Sequence, residues 1–174
     1  MNKAGIFLIF IINIFFSNIA TSSENIYFID MTFIMNNSLA GKSIIKQLDK
    51  KQKTYTSTFK KTEIDLKKEE TKLISQKNIL AKKDFDVKVN LFTEKISLYR
   101  KKQQETLESF SKKKVEAQNN LTKQIIPILA DYSKEKSISL ILPKQSIIIG
   151  KSELDLTNEI ILILDKEIKT VELK

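Results

Sequence analysis

The sequence predicts an α+β protein. Its small β body, three short strands with a C-terminal helix, carries one long antiparallel helical-hairpin arm. Three observations carry this. Short apolar runs rich in strand formers lie near both ends of the mature chain. Between them, residues 42–126 contain neither Gly nor Pro, in a composition of high helix propensity. Apolar residues recur along that run at helical spacing, so the run is amphipathic.

The first element is an export signal. Met1-Asn2-Lys3 is a short positive start, Ala4–Phe16 is apolar, and small polar residues follow. Ala20 and Ser22 fit the −3 and −1 positions of a cleavage site, giving a signal peptide over 1–22, with cleavage after Ala20 as the alternative. The apolar segment falls short of the ~20 residues that a spanning helix needs. An uncleaved anchor is the competing reading.

The body begins at residues 23–41. "NIYFIDM" (Asn25–Met31) reads as a strand buried on both faces. The arm occupies 42–136. Its first half follows a seven-residue frame through Ile45, Gln52, Phe59, Leu66, Leu73 and Leu80. The companion seam is Leu48, Tyr55, Thr62, Glu69, Gln76 and Lys83, apolar at the base and polar outward. In the second half Phe92, Ile96, Tyr99, Leu107, Phe110, Ala117, Leu121, Ile125, Ile128 and Tyr132 lie at helical spacing, with Gln103 and Lys114 interrupting. One continuous helix would be ~140 Å long at 1.5 Å per residue. The strands at its two ends must meet, so a hairpin is expected. Its tip is placed at "KKDFD" (Lys82–Asp86), where two aspartates can bond a turn.

The body resumes at 137–174. "SISLILP" (Ser137–Pro143) and "QSIIIGK" (Gln145–Lys151) read as strands two and three, joined by a hairpin turn at Pro143–Gln145. Leu154–Lys169 reads as a helix capped by Asp155 or Thr157. Its Ile160, Ile161, Leu164 and Ile168 should pack on the strands. Three short open-edged strands bury too little to stand alone. Edge-to-edge oligomerisation through Ile26, Phe28, Ile29, Leu140, Leu142 and Ile148 is the economical solution.

Composition excludes much chemistry. The 174-residue chain has no Cys, His or Trp. It therefore has no thiol nucleophile, imidazole base or nitrogen or sulfur metal site. No phosphate-cradling glycine loop, serine-hydrolase elbow or calcium loop occurs. No enzyme activity and no cofactor are expected. The net charge of +9 is uneven: residues 42–136 hold 24 Lys and Arg against 13 Asp and Glu, a net of +11. A solvated face and a surface that attracts anionic partners both fit that excess.

The two ends carry a resemblance. Ile29-Asp30, Ile34-Met35, Ser38 and Gly41-Lys42, followed by Leu48, match in register the N-terminal pattern of the Skp/OmpH family of periplasmic chaperones. Asp155-Leu156-Thr157 matches its closing helix. The chain departs at Met35 and Ile149, where aromatics are usual, and in its Lys-heavy arms. The resemblance implies a homotrimer whose strands form a barrel-like body, with helical arms around a cavity. It implies a periplasmic holdase that binds unfolded outer-membrane β-barrel proteins without ATP and makes weak contact with anionic membrane surfaces. Tyr55, Phe59, Phe92, Tyr99 and Phe110 are the expected client-binding aromatics, with packing within the hairpin as the alternative role. Competing functions are a basic coiled coil that binds nucleic acid and a membrane-tethered structural protein. The export signal argues against specific nucleic-acid binding.

Overall fold

The computed structural model describes residues 25–173, and the expected signal peptide over 1–22 lies outside them. Strand β1 (Ile26–Ile29) leads into a short helix α1 (Met31–Asn37) and a long helix α2 (Leu39–Gln76). A second long helix, α3 (Lys82–Lys136), returns to strand β2 (Leu140–Pro143), and helix α4 (Thr157–Glu167) closes the body. The protein is mostly helical, with a long two-helix arm on a small sheet.

Local chemistry sets the first elements. β1 is shorter than the expected Asn25–Met31 because Asp30 caps α1: its Oδ1 accepts the Phe33 N–H at 2.9 Å. Ser38 ends α1 and starts α2, its Oγ accepting the Gly41 N–H at 3.0 Å. Each side chain satisfies an N–H that the first helical turn leaves without a partner. Gly41 has a helical backbone; here glycine meets a packing need. A Cβ on Gly41 would lie 2.1 Å from the Met35 carbonyl oxygen. Its hydrogen atom lets α1 fold back on the start of α2.

β1 and β2 pair in parallel, with Ile26 opposite Leu140 and Ile29 opposite Pro143. Parallel strands need a long crossover, and here the whole arm supplies it. The expected third strand at Gln145–Lys151 is not formed. Lys144–Ser146 is a 3₁₀ turn where a hairpin was expected, and Ile147–Lys151 is irregular. Pro143 has no N–H to extend the ladder. Beyond β2, β1 is bridged only at Phe28–Asp155 among the described residues. The apolar segment pairs with neither strand, and Ile148 and Ile149 stand in solvent.

The core lies where the arm joins the body. Ile34, Ala40, Ile44, Ala117, Leu121, Ile125, Ile160 and Leu164 are all fully buried in one cluster. Of the expected helical face of α4, Ile160 and Leu164 are buried and Ile161 and Ile168 half-buried. This face packs on α1, α2 and α3 rather than chiefly on the strands. α4 starts at Thr157, later than expected. Asp155 Oδ1 accepts both the N–H (3.0 Å) and the hydroxyl of Thr157, and Thr157 Oγ1 accepts the Asp30 N–H at 2.9 Å. Lys144 adds an ion pair to Asp155 at 3.1 Å. Burial would raise the Asp155 carboxyl, but these Thr157 and Lys144 partners hold it below the ordinary value. The tail is tied down by Gln47, whose side chain donates to the Val171 carbonyl and accepts the Leu173 N–H.

Of the six residues expected at an assembly surface, Phe28 and Ile29 are buried within the protomer and Leu142 is half-buried. Ile26, Leu140 and Ile148 are exposed.

Candidate functional site: a groove along the helical arm

The tip of the arm is the turn at Lys77–Ala81, ahead of the expected Lys82–Asp86, which is helical. Asp84 sits in the first turn of α3, where the helix dipole favours a carboxylate. Cross-arm partners set the register: Tyr55 meets Phe110, Glu63 meets Tyr99, Glu69 meets Lys95 and Gln76 meets Lys88.

Along α3 the inward positions run 85, 89, 92, 96, 99, 103, 106, 110, 113 and 117, the alternating spacing of a coiled coil. Thr106 takes the inward position expected of Leu107, which is exposed, and Lys113 takes that of Lys114. On α2, Ile44 is buried in place of Ile45, and Gln52 and Glu69 are exposed; Lys83, expected in the same seam, lies in the first turn of α3 and is exposed. No side chain from Ile45 to Ser109 is buried; each seam position there is only half-covered. From Phe110 downward the seam closes into the core.

Large rings meet across the seam. Tyr55 and Phe110 meet edge to face at 5.8 Å between centroids, and Phe59 and Tyr99 at 6.1 Å. The Tyr99 hydroxyl donates to Glu63 Oε1 at 2.7 Å. Burial, with this bond to the carboxylate, pushes the phenol up to about 12. Lys114 Nζ lies 4.9 Å from the centre of the Phe110 ring. Of the five expected client-binding aromatics, four are thus brought together in two pairs within the seam. Phe92 lies further out and is half-buried.

Beside these rings the arm is hollowed. One cleft of about 900 Å³ is floored by Tyr55, Phe59, Leu66, Leu98 and Tyr99. A second of about 660 Å³ lies toward the tip, with Leu73, Leu91 and Phe92 in it. Both touch Lys95 and Leu98, so they form one groove on one face of the hairpin. Leu91 and Leu98 are more than half exposed although apolar. Thr54, Thr58 and Thr62 line the first cleft, each hydroxyl donating to the carbonyl four residues back. This threonine row and the exposed leucines were missed in the sequence, where only the four-residue repeat of Thr could have shown them.

The comparisons with known proteins follow the same architecture. A family model described as Outer membrane protein (OmpH-like) matches residues 25–164. The chain belongs to the OmpH-like family. Among solved structures, this OmpH-like chain is similar to the crystal structure of a candidate outer membrane chaperone (OmpH-like) from Caulobacter crescentus CB15. The TM-score is 0.79 at 15% identity, covering 87% of this chain and 89% of that one. A comparison with curated proteins returned no match. The fold expected from Asp30, Ser38, Gly41 and Asp155 is therefore that of the family in its helical arm and small sheet. Those four residues act as caps and as a close helix contact, all within the body.

Proposed function

We propose that this OmpH-like protein is an ATP-independent periplasmic holdase. In this reading a homotrimer keeps unfolded outer-membrane β-barrel proteins soluble between its arms. The observation that carries the reading is the contrast along the arm. The base is a closed apolar core, whereas the arm beyond Phe110 leaves apolar side chains half-covered and opens a groove. Such a surface offers many shallow contacts and no rigid pocket, which suits clients of varied sequence. The positive arms attract acidic chains and bring the protein to anionic membrane surfaces. Assembly through the body is supported by exposed Ile26, Leu140, Ile148 and Ile149, next to a two-stranded sheet with a free edge. A second copy would cover them.

The test is aggregation of a urea-unfolded outer-membrane β-barrel protein on dilution, followed by light scattering, with sizing of the complex. The full chain is expected to hold the client soluble as a trimer. A variant with Thr54–Ser109 replaced by a short turn, a cut that respects the cross-arm register, is expected to stay trimeric and lose suppression. Suppression retained by that variant, or a stable folded monomer of the full chain at micromolar concentration, would refute the reading.

A further inference from the structure

We infer that the groove from Thr54 to Gln76 is a discrete site for one extended segment of about ten residues, with apolar and acidic side chains alternating. This rests on the holdase reading and names the chemistry that one arm would recognise.

Length comes first. The groove is lined on α2 from Thr54 to Gln76 and on α3 from Lys88 to Ser109, about 33 Å at 1.5 Å per residue. An extended chain at about 3.3 Å per residue covers that with about ten residues.

The wall repeats at strand spacing. Thr54, Thr58 and Thr62 recur every four residues, about 6 Å along the helix. Their hydroxyl protons are committed to the helix carbonyls, so toward a ligand in the cleft they line each oxygen can act only as an acceptor. Along one edge of a strand N–H groups recur every second residue, about 6.6 Å apart. Three successive N–H groups can therefore meet three threonine oxygens, while alternate side chains drop to the floor of Tyr55, Phe59, Leu66 and Leu98.

The rim selects charge. The ammonium groups of Lys68, Lys72 and Lys102 line the groove and have no partner among the described residues, against one such carboxylate, Glu94. Lys95 and Glu69 bridge the middle of the groove. An exposed pair of this kind is readily opened by a ligand.

The experiment is fluorescence anisotropy with the full chain and labelled ten-residue peptides. An alternating Val/Asp peptide is expected to bind at least tenfold more tightly than one with Lys in place of Asp, and than one of the same composition with its valines in a block. Leu98→Glu, on an exposed position, is expected to abolish binding. Thr54→Val, Thr58→Val and Thr62→Val together are expected to weaken it severalfold with helicity unchanged. Equal binding of the three peptides, or binding unmoved by Leu98→Glu, overturns the site. If peptide binding fails while client aggregation is still suppressed, the groove assignment is wrong and the holdase reading stands. If the full chain also fails to suppress aggregation, both are wrong.

Discussion

Gly41→Ala tests whether the body is held by the close contact between α1 and α2. The added Cβ would lie 2.1 Å from the Met35 oxygen, 2.6 Å from its carbonyl carbon and 2.8 Å from its Cα. Ordinary contacts begin at about 3.5 Å, so α1 must move by more than 1 Å. All three atoms are backbone, and no rotamer change relieves them. Ile34 sits fully buried one residue before Met35, so the shift also opens the core. Overpacking costs about 1–3 kcal/mol, occasionally more, and a backbone clash belongs at the upper end. Alanine returns up to about 1 kcal/mol of helix propensity, leaving a net loss of about 2 kcal/mol. With a urea slope of about 1–3 kcal/mol per molar, the midpoint should fall by about 1 M. Circular dichroism during urea unfolding at fixed protein concentration reads this directly. Gly150→Ala is the control: its Cβ would meet a Phe28 ring carbon at 3.1 Å, and a ring can tilt. A Gly41→Ala protein within about 0.5 kcal/mol of the parent, the usual range of neutral surface changes, would show that α1 does not press on α2 there.

Phe110→Ala should cost about 3 kcal/mol in the same assay, since the ring is buried against Tyr55, whereas Phe59→Ala in the half-open seam should cost about 1 kcal/mol. Ser137 closes α3 at φ 52°, ψ 42°, a left-handed conformation that costs an L-residue about 1–2 kcal/mol. Ser137→Gly should therefore raise the urea midpoint and Ser137→Val lower it. Asp155 is held below its ordinary carboxylate value of 3.8. The folded state thus binds this proton less readily than the unfolded state. The stability from Asp155 is present above about pH 4 and lost as pH falls below that value. Thermal melts between neutral pH and about pH 3 should show this loss in the parent and a smaller one in Asp155→Asn. Hydrogen exchange should be fast from Leu66 to Leu107 and slow at Leu121, Ile125 and Ile160, because only the latter are fully buried.

Whatever depends on neighbours in the chain was legible in the sequence. The helical run, the stripe from Ala117 to Ile128, the polar drift of the outer seam and the apolar face of α4 follow from spacing and propensity. The motif at Asp30, Ser38 and Gly41 was legible as a pattern, and its cause is local capping plus one close contact. What the tertiary structure alone decided depends on pairing across long separations. Lys82–Asp86 has the composition of a turn, yet the tip falls at Lys77–Ala81. The reason is that Tyr55 opposite Phe110 and Glu69 opposite Lys95 set where the two helices come into register. Ile147–Ile149 has the composition of a strand, yet a strand exists only when it pairs along an edge, and this segment pairs with none among the described residues. Tyr55, Phe59 and Tyr99 are amphipathic positions in any coiled coil. Only the tertiary structure pairs Tyr55 with Phe110 and Phe59 with Tyr99 beside the groove, because a contact between two helices is set jointly by the side chains of both.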